Sequence, residues 1–255
     1  MARAAILGRL TWTLGEVVNT IAETPTVKSL VLSVPEWSGH RAGQHVDVRL
    51  TAEDGYEAQR SYSIGSAPEQ EHLTLTVERL EDGEVSIYLV DELRVGDLLE
   101  MRGPIGGYFV WESSMGGPLL LVAGGSGIVP LMAMIRHHSA TGSDVPVRLL
   151  YSARTFDDVI YQEDLASFDE SDSAVEIFYT LTRSQPTGWR GFSRRIDKDM
   201  LEEWAQPVLR RGAPPLIYIC GPTSFVEAAA SLFVEMGLDS TRVRTERFGP
   251  TGGQP

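Results

Sequence analysis

Cysteine is almost absent: Cys220 is the only one in 255 residues. No intrachain disulfide is possible. No iron–sulfur cluster can be ligated either, since that takes about four cysteines, or two with two histidines. Histidine is scarce too. His40, His45, His72, His137 and His138 form no H-x-x-x-H or other recognised ligand spacing; most are expected at the surface or core edge, and no metal site is expected. No run approaches about 20 apolar residues, so no transmembrane helix is expected. Residues 1–14 are interrupted by Arg3 and Arg9 and lack the apolar core of a signal peptide, which fits a cytoplasmic protein. Positive charge is in deficit, with 22 Lys and Arg against 35 Asp and Glu and a net charge of −13. Phosphate backbones and anionic membranes demand clustered cations, so neither nucleic-acid nor membrane binding is expected. The G-x-G-x-x-G dinucleotide fingerprint is missing as well.

What the chain does carry is material for real cores. It is 42% hydrophobic and 22% charged, over a length that suits one large domain or two ordinary ones. Its most informative stretch is Leu119-Leu120-Leu121-Val122-Ala123-Gly124-Gly125-Ser126-Gly127-Ile128-Val129-Pro130. The apolar run 119–122 is too short for a typical helix and suits a strand buried on both faces. Gly124, Gly125 and Gly127 allow a sharp turn and close approach of a ligand. The helix that follows presents unpaired N–H groups and a positive dipole end, which suit a phosphate. Pro130 lies early enough in it to be tolerated. Taken alone, the stretch reads equally well as a tight strand-to-helix turn without a ligand.

From about Trp12 to Arg102 the chain is β-rich. Residues 16–21 and 27–32 are β-branched and alternating, and 45–50 and 73–77 alternate with period two. Glu53-Asp54-Gly55, Ala67-Pro68 and Glu81-Asp82-Gly83 supply turns. Short strands at this spacing predict a sandwich or small barrel. One helix is expected over residues 85–93, with Val85, Leu89 and Leu93 at i, i+4 and i+8. A last strand over 97–101 ends at Gly103-Pro104. The second half alternates strands at 119–123, 147–151, 175–181, 216–220 and 242–248 with helices ending near 138 and spanning about 158–168, 196–209 and 224–236. That pattern predicts a parallel sheet covered on both faces. Gly142 and Gly237 fall where helix stops belong. The halves divide near residues 111–117, giving domains 1–110 and 111–255, with the role of the tail 249–255 open.

Four segments carry chemistry besides the glycine turn. Arg60-Ser61-Tyr62-Ser63 closes a strand. Arg60 offers a charge-assisted fork for phosphate, Tyr62 a flat ring, and Ser61 and Ser63 adaptable hydroxyls; an edge strand with an exposed arginine is the plainer reading. Gly83-Glu84-Val85-Ser86 opens the helix of the first half. Its N–H groups and the Ser86 hydroxyl suit an anion, and an ordinary cap explains them equally well. Tyr151-Ser152-Ala153-Arg154 ends the second strand of the α/β half. In a dinucleotide site an acidic residue there selects a ribose 2′-hydroxyl, and an arginine accommodates a 2′-phosphate. Ser152 and Arg154 stand in that place and Arg183 ends the next strand, which favours NADPH over NADH. Asp157 and Asp158 are expected to cap the next helix. Cys220-Gly221-Pro222 follows the fourth strand, where a lone cysteine is most often a small packing residue. Between the halves, Gly103-Pro104-Ile105-Gly106-Gly107-Tyr108-Phe109 is expected to form a rigid hinge.

In this order the segments resemble the ferredoxin–NADP reductase superfamily. Arg60-Ser61-Tyr62-Ser63 matches its R-x-Y-S flavin motif. The match continues through Gly103-Pro104-x-Gly106, Gly124-Gly125-Ser126-Gly127-Ile128-x-Pro130, Tyr151-Ser152-x-Arg154 and Cys220-Gly221-Pro222. Each motif is weak alone; five in order, over nearly the whole chain, are specific. The resemblance implies a two-domain protein: a six-stranded antiparallel β-barrel that binds FAD, and a C-terminal α/β domain with a five-stranded parallel sheet that binds NAD(P)H. It implies that Arg60 pairs with a flavin phosphate, Tyr62 stacks on the isoalloxazine ring and Ser63 hydrogen-bonds near flavin N5. Ser86, with the turn at Gly83 and Val85, would support the FAD pyrophosphate. Gly124, Gly125, Ser126, Gly127 and Pro130 would receive the nucleotide's pyrophosphate. Cys220, followed by Gly221 and Pro222, would lie beside the nicotinamide, so that Ser63, Cys220 and Tyr62 are the expected catalytic residues. Plant-type members end in an aromatic residue that covers the flavin. This chain runs on through Glu246-Arg247-Phe248-Gly249 to Pro255, and Phe248 is the candidate cover. Many reductases of bacterial oxygenases carry a fused iron–sulfur domain, for which this chain has neither length nor cysteines.

The implied function is hydride transfer from NADPH to FAD and delivery of electrons to a separate acceptor, such as a ferredoxin-like iron–sulfur protein or an oxygenase component. Arg190, Arg194, Arg195, Lys198, Arg210 and Arg211 offer a dock for an acidic partner, although Asp197, Asp199, Glu202 and Glu203 among them also fit a solvated helix face. Two rival functions stay open: a reductase of small acceptors (free flavin, a quinone, a metal complex), and a flavin- or nucleotide-binding regulatory subunit without turnover.

Overall fold

Alternation builds the first half. In β3 (His45–Thr51) Val46 and Val48 are fully buried, while Arg49 is partly exposed and Thr51 exposed, the pattern of a strand with one face on a core. The structure is a computed structural model that describes residues 10–171, 174–210 and 212–248. Around β3 stand β1 (Thr13–Thr24), β2 (Val27–Ser33), β4 (Glu57–Ser63), β5 (Leu73–Glu78) and β6 (Leu98–Ile105). They pair antiparallel in the order β4-β3-β6-β1-β2-β5. Ile64, just beyond β4, bridges Leu75 of β5 and closes the sheet into the expected barrel. A helical segment, α1 (Glu84–Ile87), continues as a π turn over Tyr88–Glu92. Val85, Leu89 and Leu93 are buried as the spacing predicts.

The strand before the second half is longer than expected. β6 runs through Gly103-Pro104 to Ile105 because Ile105 pairs with His45 across a shift in register. The first three residues of the expected hinge are therefore strand. Phe109, Val110 and Trp111 are buried as well, with Trp111 bridged to Ala42, so the connection is packed against the body of the protein.

The second half follows the predicted alternation: β7 (Leu119–Gly124), α2 (Ile128–Ala140), β8 (Val147–Ala153), α3 (Gln162–Ser171), β9 (Val175–Leu181), α4 (Lys198–Leu209), β10 (Leu216–Pro222), α5 (Thr223–Glu235) and β11 (Val243–Phe248). The sheet is parallel, in the order β11-β10-β7-β8-β9. All of β7 is buried. Leu119, Leu121 and Ala123 join the core that α2 completes; Leu120 and Val122 join the core under α4 and α5. The chain moves outward from β7 through β8 to β9, then returns to lay β10 and β11 on the other side. The direction reverses between β7 and β10, and the crevice beyond the C-terminal ends of such strands is where open α/β sheets take ligands.

Two further expectations change. Asp158 closes a capping box with Thr155 on a short 3₁₀ turn, Phe156–Asp158, which ends before α3 begins. His137 and His138 are buried, not surface residues. Both pack against Trp111, because α2 is enclosed on nearly all sides. Among the described residues no helix is long and apolar enough to cross a membrane.

Candidate functional site

On the barrel, the site is built at the end of β4, where successive side chains point to opposite faces. Arg60 is exposed, donates to the carbonyl of Gln59 at 2.7 Å and forms no ion pair among the described residues, so its charge is available to a phosphate. Tyr62 is half-buried, and burial pushes its phenol up to about 12, which keeps the ring neutral. Ser61 is committed elsewhere. Its hydroxyl donates to Asp47 at 2.7 Å, and Asp47 is paired with Arg102 at 2.9 Å. Ser63 is buried and its hydroxyl has no hydrogen-bond partner. A buried unpaired hydroxyl costs about 1–3 kcal/mol, so this one is open to a partner from outside the chain. A free guanidinium, a neutral ring and an unpaired hydroxyl along one strand end fit a flavin nucleotide.

The α1 segment lies beside β4, with the Tyr56 hydroxyl donating to Glu84 at 3.2 Å. Val85 is in the barrel core. Ser86 differs from the expectation. Its hydroxyl donates to the Gly83 carbonyl at 3.0 Å and accepts the Leu80 N–H at 3.1 Å. Its proton is spent on holding the turn that starts α1, which leaves the backbone of the turn as what this segment offers to an anion.

On the α/β side, Gly124-Gly125-Ser126-Gly127 forms the turn between β7 and α2. Gly125 has φ +55 and open space where a side chain would stand. Gly127 has no such space: a Cβ there would lie 2.2 Å from the Cys220 carbonyl oxygen. The turn is thus pressed onto the end of β10 and open to solvent on its other side, with Ser126 half-exposed and Pro130 buried in the first turn of α2. Ser152 is the neighbour of Gly124 across β7 and β8. Arg154 and Arg183 are exposed, without an ion pair among the described residues. The Arg183 N–H donates to the Arg154 carbonyl at 2.8 Å, which sets the two residues side by side at the C-terminal edge of the sheet.

Cys220 is fully buried, and burial pushes its thiol well above the ordinary range. Gly221 and Pro222 complete β10, where Pro222 is the register partner of Phe248, the last described residue, half-buried against the core. The register exposes a residue that sequence reasoning passed over. Glu246 stands opposite Cys220. One of its carboxylate oxygens is buried without a partner, and burial pushes its carboxyl up to about 7. In the sequence it is one acid in a mixed strand; only the parallel pairing of β10 with β11 places it beside the cysteine.

The two sides meet. Arg136 of α2 donates to the Gly65 carbonyl at 2.6 Å, and a Cβ on Gly65 would touch Val129 at 3.4 Å. Gly65 is two residues beyond Ser63, and Val129 two beyond Gly127, so the segment that follows the unpaired serine lies against the helix that starts at the glycine turn. Two of the basic residues weighed as a dock are already paired, as the solvated-face reading allows. Arg194 is paired with Asp197 at 2.5 Å and Lys198 with Glu202 at 3.7 Å. Arg210 caps the far end of α4, about 18 Å away at 1.5 Å per residue. Arg211 lies outside the described residues. A cavity of about 650 Å³ between β1, β2 and the start of α3 is lined by none of the predicted site residues.

Residues 16–110 match the family model for the oxidoreductase FAD-binding domain, and residues 121–231 that for the oxidoreductase NAD-binding domain. The glycine betaine monooxygenase reductase subunit of Chromohalobacter salexigens is 32% identical over 250 residues, covering 94% of this chain and 66% of that protein. The chain spans no more than about two thirds of the length of the first curated relatives it matches. Among solved structures, the cytochrome P450 reductase of Amycolatopsis superimposes with a TM-score of 0.81 at 26% identity, over 98% of this chain and 74% of that one. A ferredoxin NADP+ reductase from Neisseria gonorrhoeae with bound FAD and NADP has the same fold, with a TM-score of 0.79 at 21% identity, over 92% and 98% of the two chains.

Proposed function

The chain belongs to the ferredoxin–NADP reductase superfamily, and from that premise we propose that it takes hydride from a nicotinamide nucleotide onto FAD and passes electrons to a separate acceptor. Residues 1–110 hold FAD in this reading and residues 111–255 hold the nucleotide. One observation carries it: the buried, partnerless hydroxyl of Ser63 ends β4, two residues before Gly65, which is bonded to the helix of the glycine turn. FAD, when bound, supplies the chemistry that splits a two-electron donation into single electrons; the protein supplies binding, orientation and electrostatics.

Each residue then has a physical task. Arg60 neutralises a phosphate, Tyr62 offers an uncharged stacking face, and Ser63 offers its hydroxyl to the ring. The N–H groups opening α2 receive the pyrophosphate of the nucleotide. Cys220 stays a neutral thiol, a soft packing face rather than a nucleophile. Glu246, with a carboxyl that titrates near 7, holds or releases a proton at the same end of the sheet. Arg154 and Arg183, adjacent and without carboxylate partners, support NADPH as the preferred donor, with NADH the weaker one.

The acceptor is proposed to be a protein. Related chains serve as the reductase subunit of a monooxygenase, and the one cysteine of these 255 residues leaves no cluster within them. With Arg194 and Lys198 already paired, docking is not assigned to the 190–211 basic residues. The test is turnover with NADPH and a candidate iron–sulfur protein, compared with free flavin and a quinone. Faster electron delivery to the protein supports this reading; equal rates with small acceptors alone support the small-acceptor reductase instead.

A further inference from the structure

We propose that Tyr161 and Arg136 are positioning residues, which clamp the loop carrying Ser63 to the helix carrying the nucleotide turn and thereby set the approach of nicotinamide to flavin. The proposal rests on the function proposed above and concerns residues outside every motif read from the sequence.

Tyr161 lies just before α3 with φ +60, one of two non-glycine residues with positive φ among those described. A left-handed conformation costs a tyrosine about 1–2 kcal/mol and persists where the surroundings over-determine it. Here they do. The side chain packs against the outer face of the barrel, within the core that α2 completes, and is 3% exposed. Its hydroxyl bonds Thr76 of β5. Thr76 Oγ1 meets Ser29 Oγ of β2 at 2.7 Å, and Ser29 donates to one oxygen of Glu23 at 2.5 Å. The other oxygen of Glu23 accepts the backbone N–H of Tyr161 itself at 3.2 Å. Ser29 donates to Glu23 and each hydroxyl has one proton, so the order is fixed: Tyr161 donates to Thr76, Thr76 to Ser29, Ser29 to Glu23. The circuit starts and ends on one residue, with three members on the barrel. Burial pushes the Tyr161 phenol up to about 12, so the first donor keeps its proton.

Arg136 ties this circuit to the site. Its guanidinium stacks over the Tyr161 ring at 4.7 Å, pairs with Asp164 of α3, and donates to the Gly65 carbonyl at 2.6 Å. Gly65 has no room for a side chain, since a Cβ would lie 2.6 Å from the Tyr161 hydroxyl oxygen. Tyr161 thus lies close against Gly65, and Arg136 joins both to α2, so a displacement of Tyr161 would shift the segment after Ser63 relative to that helix. Neither residue belongs to the Arg60–Ser63 segment or the glycine turn, so their effect is on geometry. Misplacing reacting groups by about 1 Å can lower a rate by about a hundredfold.

The test uses the FAD-loaded full chain and three variants: Gly65→Ala, Tyr161→Phe and the double variant. Three quantities are read: FAD affinity, the rate of flavin bleaching by NADPH with its deuterium isotope effect, and the long-wavelength absorbance from nicotinamide stacked on flavin when NADP+ is titrated into the reduced protein. Ordinary contact begins at 3.4 Å, so in Gly65→Ala the phenol must retreat by about 0.8 Å. The expected result is a fall of about tenfold or more in bleaching rate and loss of the stacking absorbance, with FAD affinity and KM changed by no more than about twofold. Tyr161→Phe keeps the ring under Arg136 and opens the circuit, so a smaller fall is expected. The double variant removes the oxygen that the alanine meets and should recover to the level of Tyr161→Phe. Variants indistinguishable from a wild-type protein that bleaches, a double variant no faster than Gly65→Ala, or a rate that falls in step with FAD loss each overturn the proposal. A wild-type flavin that neither nucleotide bleaches overturns the functional reading and this proposal with it.

Discussion

Replacing Ser63 by alanine should act in opposite directions on the protein without and with FAD. In the structure the residue is 5% exposed and its hydroxyl meets no partner. An unmet buried hydroxyl costs about 1–3 kcal/mol; alanine removes that cost and gives up the packing of one oxygen atom. The FAD-free variant should therefore gain about 1 kcal/mol, which in a chain of this size raises the unfolding midpoint by about 2–4 °C. With FAD the sign reverses. If the hydroxyl pairs with the flavin, its hydrogen bond contributes about 0.5–1.5 kcal/mol, and the variant should bind FAD about two- to thirteenfold more weakly. Thermal unfolding of the stripped protein, followed by circular dichroism, reads the first effect. Quenching of flavin fluorescence on binding reads the second. A stripped variant less stable than the wild type would mean that the hydroxyl has a structural partner. Unchanged FAD affinity would mean that Ser63 does not face the flavin. Either result refutes the reasoning.

Other expected outcomes concern the nucleotide side. The Glu246 carboxyl is raised to about 7 in the folded chain, so between its ordinary value and 7 the folded state binds more protons than the unfolded one. Stability should fall as pH rises through that window, by up to about 3 kcal/mol, and Glu246→Gln should flatten the dependence; an unchanged slope counts against it. Arg154→Ala should weaken NADPH by about tenfold or more, the worth of a charged hydrogen bond, and leave NADH nearly unaffected; equal effects would remove the 2′-phosphate argument. Cys220→Ala should slow hydride transfer with FAD retained, because the thiol packs beside the nicotinamide; an unchanged rate would mean that it packs only within the protein core. The Cys220 thiol of the folded protein should resist alkylation at mildly alkaline pH and react on unfolding.

Much of the fold was legible because local patterns and tertiary structure agree. The alternation in 45–50 became β3, and the unbroken apolar run from Leu119 became a strand covered on both faces. The segments proposed to hold flavin and nucleotide could be picked out for a similar reason: strand ends and glycine turns are local, and their order along the chain is informative. What was not legible depends on pairing between distant residues. Gly103-Pro104 reads as punctuation, and only the partner strand at His45 shows that β6 continues through it. Ser86 looked available to an anion because nothing in the sequence says that Leu80 and Gly83 occupy its hydroxyl. His138 looked polar and peripheral, yet α2 is enclosed by both halves. Glu246 and Tyr161 carry no motif at all. Their surroundings come from β10 and from the barrel respectively, and no periodicity marks either residue.

Whether this chain moves hydride from nicotinamide to flavin is read by anaerobic rapid mixing of the FAD-loaded protein with NADPH. The visible flavin band should bleach, deuterium at the transferred position of the nicotinamide should slow the bleaching, and NADPH should act at lower concentration than NADH. A flavin that stays oxidised with both nucleotides would contradict the proposed transfer.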